Sequence, residues 1–180
     1  FLEAHRELFQ KKNPELVSSQ IMKELSDTMT PQGVLALVKI REFHMEQLAR
    51  NDALLLVLEN LQDPGNLGTI LRTGEGAGVT GIIMSRDTVD IYNPKVIRST
   101  MGSIFRVPFV YADDMNEVIR FLKKNQITTY AAHLDGTNYT KEDYNKGTAF
   151  FIGNEGNGLS RELTRAADHM IRIPMNGKVE

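Results

Sequence analysis

The sequence contains no cysteine and no tryptophan among its 180 residues. Without a thiol there is no disulfide, no thiolate ligand for a metal and no cysteine nucleophile. Any chemistry of this chain therefore has to come from nitrogen and oxygen side chains. Because no cluster of potential metal ligands appears in the remaining residues either, we expect no metal site.

The sequence also lacks a net charge of either sign and a long apolar run. Lys and Arg number 21 against 23 Asp and Glu, and the resulting net charge of −2 gives no overall attraction for nucleic acid or anionic lipid. Any RNA or DNA binding must therefore be local or shared across an oligomer. No apolar run approaches the ~20 residues that cross a bilayer, and residues 1–13 have no signal-peptide core. These features predict a cytoplasmic protein without a membrane anchor.

Six apolar segments alternate with helical patterns over most of the chain. The strand candidates are residues 53–58, 80–85, 105–111, 127–134, 148–153 and 169–175. This alternation predicts an α/β fold, a parallel sheet with helices on both faces. Ligands of such sheets collect at the carboxyl ends of the strands. Two glycine-rich segments follow the first and the fifth of these strands.

The front of the chain predicts a smaller unit. Ser18 and Ser19 are candidate N-caps for a short helix over residues 20–27, and a strand is predicted over residues 34–39. A charged, helix-favouring stretch separates this part from the rest. The predicted organisation is a partial small α/β domain over residues 1–42, a linker over 43–52 and the main domain over 53–180.

The first glycine-rich segment, GNLGTILRTGEGAG, contains Asn66 and Arg72. Asn66 precedes a predicted helix and can hold groups at its N-terminus, while Arg72 lies more than one turn further in and can point back at an anion. The alternative is a surface cation paired with Glu75. The glycines of GEGAGVTG invite a dinucleotide-binding interpretation, but they lie after the helix, so Gly76 or Gly78 is predicted to end it.

The second glycine-rich segment, FFIGNEGNGLS, surrounds Glu155 with Gly153, Gly156 and Gly158. Such glycines allow the backbone to approach a ligand closely. The alternative is that Glu155 only interacts favourably with the start of a helix.

Between these segments, NPKVIRSTMGSIFRVP begins with a cap at Asn93 and a proline suited to the first helical turn. It reads either as an ordinary amphipathic helix or as an edge that contacts phosphates. The candidate donors of such an edge are Lys95, Arg98, Ser99, Ser103 and Arg106. His133 stands beside a turn, and we assign it no chemistry.

Taken in order, these three segments resemble the three motifs of the SpoU (TrmH) class of RNA ribose 2′-O-methyltransferases. The similar stretches are NLQDPGNLGTILRTGEGAGV, NPKVIRSTMGSIFRVP and FFIGNEGNGLSRELTRAADHMIRIPM, and the likeness spans about residues 53–175. In addition, KELSDTMTPQGVLALV resembles the end of the small RNA substrate-binding domain that precedes the catalytic domain in many members.

The resemblance implies a SPOUT fold, in which a C-terminal trefoil knot wraps S-adenosylmethionine, and a homodimer. Together with the candidate donors of the second segment, it predicts three sets of site residues, of which the first two follow from the resemblance. The catalytic residues are Asn66, Arg72 and Glu155. The cofactor-binding residues are Gly153, Asn154, Gly158, Ile173 and Met175. The RNA-binding residues are Arg72, Arg98, Ser103 and Arg106.

The family's third motif continues through a serine, leucine and asparagine run into the helix that closes the knot, whereas this sequence ends at Glu180. The knot-closing helix is thus absent from these residues, and a chain ending here is expected to bind S-adenosylmethionine weakly.

The resemblance implies a methyltransferase that acts on a ribose 2′-OH of rRNA or tRNA, with rRNA favoured. The lack of cysteine agrees, because C5 methylation of pyrimidines usually needs a covalent nucleophile. The alternatives are a catalytically silent RNA-binding or ribosome assembly factor with the same fold and, disfavoured by the misplaced glycines, a nucleotide-dependent oxidoreductase.

Overall fold

The computed structural model describes residues 5–12, 14–26, 28–144 and 146–175, without the side chains of Leu8 and Gln10. The chain divides into two compact units, Phe1–Ile40 and Arg41–Glu180.

The first unit contains two short helices, α1 (Arg6–Lys12) and α2 (Ser19–Leu25). Ser18 caps α2, because its hydroxyl accepts a hydrogen bond from the Ile21 amide at 3.3 Å. The predicted cap is therefore confirmed. The strand predicted over 34–39 is wrong: these residues form no strand and are exposed. A strand is stable only when it pairs with another, and no strand exists in the described part of this unit.

The second unit is built on a parallel sheet of six strands, which confirms the predicted fold class. The strands are β1 (Leu54–Leu58), β2 (Gly81–Ser85), β3 (Phe109–Ala112), β4 (Thr128–Asn138), β5 (Thr148–Ile152) and β6 (His169–Arg172). They lie in the order β3-β2-β1-β5-β4-β6. Because β1 is central, its carboxyl end lies between those of β2 and β5.

Helices cover both faces of this sheet, as predicted. They are α3 (Pro64–Gly76), α4 (Pro94–Ser99), α5 (Met115–Lys124) and α6 (Arg161–Ala166), with 3₁₀ turns at Met45–Leu48, Ser103–Phe105 and Tyr139–Lys141. Alternate side chains of a strand point to opposite faces. On one face Leu55 packs with residues of α5 and α6. On the other, Leu58 packs with residues of α3 and α4.

The capping residues explain where the helices begin. Asp63 accepts a hydrogen bond from the Asn66 amide at 2.8 Å, and Pro64 suits the first turn of α3. Asn93 caps α4 in the same way, through the Lys95 amide at 2.9 Å. The helix α3 thus starts three residues before Leu67, the first apolar residue of the predicted helical pattern.

The glycines after Arg72 end α3, as predicted. Gly78 adopts a left-handed φ of 82°. Its amide donates to the Glu75 carbonyl at 3.0 Å, and the Val79 amide donates to the Gly74 carbonyl at 2.8 Å. These two bonds define a Schellman motif. Gly74 and Gly76 therefore lie within the helix, and the segment is not the phosphate-binding turn of a dinucleotide site.

The stretch between the two predicted domains belongs to the second unit. Instead of a long helix it forms only the 3₁₀ turn Met45–Leu48. Leu48 is 1% exposed and packs in the core against α5 and β1. The assignment of residues 1–42 to a partial RNA substrate-binding domain stays a prediction.

An irregular pairing marks the carboxyl end of β4, which extends four residues beyond the strand predicted over 127–134. Ile171 of β6 is paired with both Ala132 and Thr137, so residues 133–136 are extruded from the ladder. Gly136 lies against the Ile171 backbone, at a distance where any side chain would clash. Among the residues that the structure describes, no helix is long and apolar enough to cross a membrane.

Candidate active site

The loop that follows β1 is tied to the neighbouring end of β2. The Asn60 amide donates to Ser85 Oγ at 2.8 Å. Gln62 Nε2 donates to Asn60 Oδ1 at 2.6 Å and to the Asp87 carbonyl at 2.7 Å. These bonds fix the entry into α3, and with it the position of Asn66.

Glu155 binds this entry from the loop after β5. Its carboxylate accepts hydrogen bonds from the backbone amides of Gln62 and Asp63, both at 3.2 Å, and from Asn66 Nδ2 at 3.1 Å. The structure thus brings together Asn66 and Glu155, which were predicted to share a site. It also shows that Glu155 does more than interact with a helix start, because it holds two backbone amides and one side chain.

The hydrogen bonds keep Glu155 ionised. Burial raises the pKa of its carboxyl, but hydrogen bonds from its own backbone amide, from the Asn66 side chain and from the amides of Gln62 and Asp63 outweigh burial. The net pKa lies below the ordinary value, as expected when donors surround a carboxylate.

Asn154 shapes the glycine-rich loop. Its Oδ1 accepts from the amides of Gly156 and Asn157 at 2.9 and 3.0 Å, and its Nδ2 donates to the Asn60 carbonyl at 2.8 Å. Backbone bonds between Asn154 and Gly158 close the turn. With its side-chain amide engaged at both ends, Asn154 can meet a ligand only through its backbone or by giving up these bonds.

Two glycines of this loop are required by its geometry. A Cβ atom on Gly153 would lie 2.1 Å from the carbonyl carbon of Gly158. Gly158 has a left-handed φ of 66°, which side chains rarely adopt. The loop therefore folds back tightly on the end of β5, and it is these contacts, rather than a ligand, that require glycine at 153.

Arg72 is exposed and is not among the residues whose hydrogen bonds hold Glu155. In the part of the chain that the structure describes, the Arg72 side chain forms no hydrogen bond and no ion pair. The expected alternative, a surface pair with Glu75, is not formed, because the Glu75 carboxylate binds Arg106 and Ser103 instead.

The second motif packs directly on α3. Ser99 Oγ donates to the carbonyls of Lys95 and Val96, both at 2.9 Å. A Cβ atom on Gly68 would lie 1.9 Å from Ser99 Oγ, so glycine at 68 allows the two helices to approach. Lys95 also pairs with Asp63 at 3.7 Å. The segment is thus an amphipathic helix that at the same time carries cations beside α3.

Ser103 differs from its predicted role. It is 1% exposed, and its hydroxyl donates to Glu75 at 2.6 Å. In this position it connects the 3₁₀ turn Ser103–Phe105 to α3, and we leave it out of the RNA-contacting set because its hydroxyl is buried and donates to Glu75. Arg98, on α4, and Arg106 are both exposed, and Arg106 is engaged with Glu75.

The other predicted cofactor residues lie just after β6. Ile173 and Met175 are 71% and 58% exposed, and Leu134, in the extruded part of β4, is 68% exposed. These apolar side chains stand at the carboxyl edge of the sheet, where ligands of parallel sheets bind.

The sequence analysis missed Gln62 and Asp63, which supply two of the amides that hold Glu155. For Asp63 the signal was available, because an Asp directly before a Pro is typical of a helix start. For Gln62 no local pattern indicated that its backbone would meet a residue 93 positions away.

Comparison with known proteins identifies the family of the chain. A model of the SpoU rRNA methylase family matches residues 53–180. The chain therefore belongs to the SpoU rRNA methylase family.

Individual relatives agree with this family. An uncharacterised tRNA/rRNA methyltransferase from Synechocystis is 34% identical over 98% of this chain. The 23S rRNA (guanosine(2553)-2′-O)-methyltransferase RlmP of Bacillus subtilis is 31% identical over 92% of this chain. In both cases the chain spans 65% of the relative's length.

Solved structures show the same fold. The SpoU methyltransferase AviRb from Streptomyces viridochromogenes, in complex with the cofactor AdoMet, superposes with a TM-score of 0.84 at 27% identity, over 92% of this chain and 66% of that one. An AdoMet-bound rRNA methyltransferase from Sinorhizobium meliloti gives a TM-score of 0.70 at 36% identity, over 73% of this chain and 51% of that one.

Proposed function

We propose that this protein transfers a methyl group from S-adenosylmethionine to a ribose 2′-OH of rRNA or tRNA, with rRNA favoured. The observation that carries the proposal is the hydrogen bond between Asn66 and Glu155, formed at the carboxyl ends of β1 and β5. The helix α3, to which Asn66 belongs, also carries Arg72, whose side chain has no acidic partner among the described residues. Relatives named as 23S rRNA 2′-O-methyltransferases support this reaction.

The carboxyl edge of the sheet fits S-adenosylmethionine. Leu134, Ile173 and Met175 offer exposed apolar surface for a flat ring, and the backbone of Gly153 follows directly at the carboxyl end of β5. We propose these residues as the cofactor site, together with the backbone of Asn154 and Gly158. When bound, S-adenosylmethionine supplies an electrophilic methyl group. The trefoil knot that the family resemblance implies stays a prediction.

In the proposed reaction Arg72 binds the RNA phosphate and positions the 2′-OH. Its guanidinium stabilises the negative charge that develops on the attacking oxygen. Arg72 stays protonated throughout, because arginine is effectively always charged in proteins. The proton of the hydroxyl therefore passes to another group, for which we propose an oxygen of the RNA phosphate.

Glu155 and Asn66 position the site rather than take part in the proton transfer. The ionised Glu155 holds the loop before α3 and orients the Asn66 amide, which leaves the carbonyl of that amide free to accept a hydrogen bond from substrate. With Arg98 as a further cation on α4, the site has contacts for an RNA backbone. We also propose that the protein acts as a homodimer in the cytoplasm.

Mapping 2′-O-methyl positions in rRNA and tRNA from cells with and without the gene tests the proposal. We expect a defined position to lose its methyl group and to regain it with the parent gene, but not with Arg72→Ala. Unchanged maps, together with retained RNA binding, would instead favour the silent RNA-binding factor.

A further inference from the structure

We propose that Arg106 is a positioning residue, which holds Glu75 and so keeps Arg72 unpaired and available to the substrate. This inference rests on the proposed function, because it concerns the cation that we assign to the RNA phosphate and the 2′-OH.

Glu75 is the acidic residue best placed to bind Arg72. The two side chains stand three positions apart on α3, and helix residues at this spacing are neighbours. Arg72 and Glu75 would therefore form an ordinary surface ion pair if nothing else bound the carboxylate. An arginine paired in this way has fewer donors left for an RNA phosphate.

Arg106 and Ser103 occupy the Glu75 carboxylate instead. Arg106 Nε donates to Oε1, Arg106 Nη2 donates to Oε2 at 2.9 Å, and Ser103 Oγ donates to Oε2 at 2.6 Å. A bidentate contact between a guanidinium and a carboxylate is among the strongest side-chain interactions. With both oxygens engaged, Glu75 has little capacity left for Arg72.

The backbone holds Arg106 in place for this contact. It follows the 3₁₀ turn Ser103–Phe105, and its amide donates to the Ser103 carbonyl at 2.9 Å. Arg41 Nη1 donates to the neighbouring Phe105 carbonyl at 3.4 Å. Arg106 is thus presented to α3 by a hydrogen-bonded turn.

Glu75 would compete for Arg72 at every physiological pH. The hydrogen bond from Arg106, followed by that from Ser103, lowers the pKa of Glu75 from 4.5 to about 2 although burial opposes this shift. Loss of Arg106 would return this pKa towards 4.5, which still leaves an anion at neutral pH. The released carboxylate is then free to turn to Arg72.

Three variants separate the possible roles of Arg106: Arg106→Gln, Glu75→Gln and the double variant. We expect Arg106→Gln to lower kcat/KM for methyl transfer about five- to tenfold. This is the range expected when the released Glu75 forms a partly exposed ion pair with Arg72 and also repels the RNA phosphate. Glu75→Gln and the double variant should both stay within about threefold of the parent, because neither leaves a free carboxylate beside Arg72.

Other roles give different patterns. If Arg106 binds RNA directly, the double variant is as defective as Arg106→Gln. If the contact only holds the turn on α3, all three variants are equally defective. Either pattern would overturn the proposal. Arg106→Lys should recover much of the activity, since it keeps a cation for Glu75. Arg120→Gln is the matched control, because Arg120 forms ion pairs of 3.6 and 3.9 Å with Asp114 and Glu117 at α5, on the other face of the sheet.

A second readout does not depend on methyl transfer. In the Arg106→Gln protein, the ¹⁵N-detected Nε–Hε signal of Arg72 should shift as Glu75 titrates, and this shift should be absent from the parent and from the double variant. If the Nε–Hε signal of Arg72 in the Arg106→Gln protein does not shift while Glu75 titrates, the inference is contradicted. If the parent protein transfers no methyl group, that result contradicts the proposed function but leaves the inference about Arg106 and Glu75 to be decided by the Arg72 signal.

Discussion

Asn66 Nδ2 donates a hydrogen bond to Glu155 Oε1 at 3.1 Å, although 89 positions separate the two residues. The contact joins the loop after β1 to the loop after β5, two strands that pair in parallel at the centre of the sheet. A side-chain amide held in this way presents its remaining carbonyl in one orientation. Pre-orientation of this kind is what methyl transfer to a weak nucleophile requires.

Replacing Glu155 should damage activity more than stability. Glu155→Ala removes the acceptor for two backbone amides and for Asn66, so we expect methyl transfer to fall at least about tenfold, in line with the loss of charge-assisted hydrogen bonds. Glu155→Gln keeps one acceptor oxygen and should lie between Ala and the parent. Initial rates at saturating cofactor measure the effect. Parent-like rates for Glu155→Ala would show that this carboxylate does not shape the site.

Asn66→Asp should make activity depend on pH. The new carboxylate would face Glu155 and raise the pKa of the pair, because two like charges at hydrogen-bond distance disfavour ionisation. We expect partial recovery as the pH falls and one proton is shared between the two carboxyls. A pH–rate profile of Asn66→Asp beside Asn66→Ala tests this, since only the former should regain activity at low pH. Identical profiles for the two variants would rule out this coupling.

The contact between Glu75 and Arg106 should stabilise the fold only while Glu75 is ionised. The folded-state pKa of Glu75 is lowered from 4.5 to about 2. Its contribution is therefore complete above pH about 4.5 and disappears as the pH falls towards about 2. Glu75→Gln should lower the Tm above pH 5 and converge with the parent near pH 2. A Tm difference that stays constant over this range would contradict the assignment.

Substitution of Gly153 should destabilise the loop after β5. A Cβ atom there would overlap the Gly158 carbonyl carbon, so we expect Gly153→Ala to lower the free energy of unfolding by about 1–3 kcal/mol. Gly76→Ala is the matched control. Apart from its chain neighbours and the nearby backbone of its own helix, the Gly76 site has no atom within 4 Å of a new Cβ. Alanine in a helix should be neutral or stabilise by up to about 1 kcal/mol. Denaturant unfolding compares the two, and equal stability would place Gly153 in an open loop.

Much of the fold could be predicted from the sequence, because strands and helices leave local patterns. All six strands of the sheet lie within or overlap the apolar segments, and the helix start at Asn93 follows from its cap. The strand order could not be predicted, since nothing local indicates that β5 pairs with both β1 and β4. The prediction of a strand over 34–39 was wrong because an apolar run alone does not supply a partner strand.

For the site, the residue types were predictable but the contacts were not. Glycines mark the loop around Glu155, but that Glu155 binds Asn66 depends on two strands lying side by side. The expected pair of Arg72 with Glu75 was reasonable from helical spacing. In the structure the Glu75 carboxylate instead binds Arg106, 31 positions further along the chain. Ser103 was predicted to donate to RNA because a linear pattern does not show that this residue is buried against α3.

The most direct test of the account is transfer of labelled methyl from S-adenosylmethionine to RNA by the parent and by Arg72→Ala. Digestion of the RNA to nucleosides locates the label. We expect label on a ribose 2′-oxygen with the parent, and a loss of at least about a hundredfold with Arg72→Ala, the effect of removing one group that stabilises developing charge. Both proteins should have the same Tm within about 2 °C, as is usual for an exposed side chain without partners. Label on a base, or an Arg72→Ala protein as active as the parent, would contradict the account.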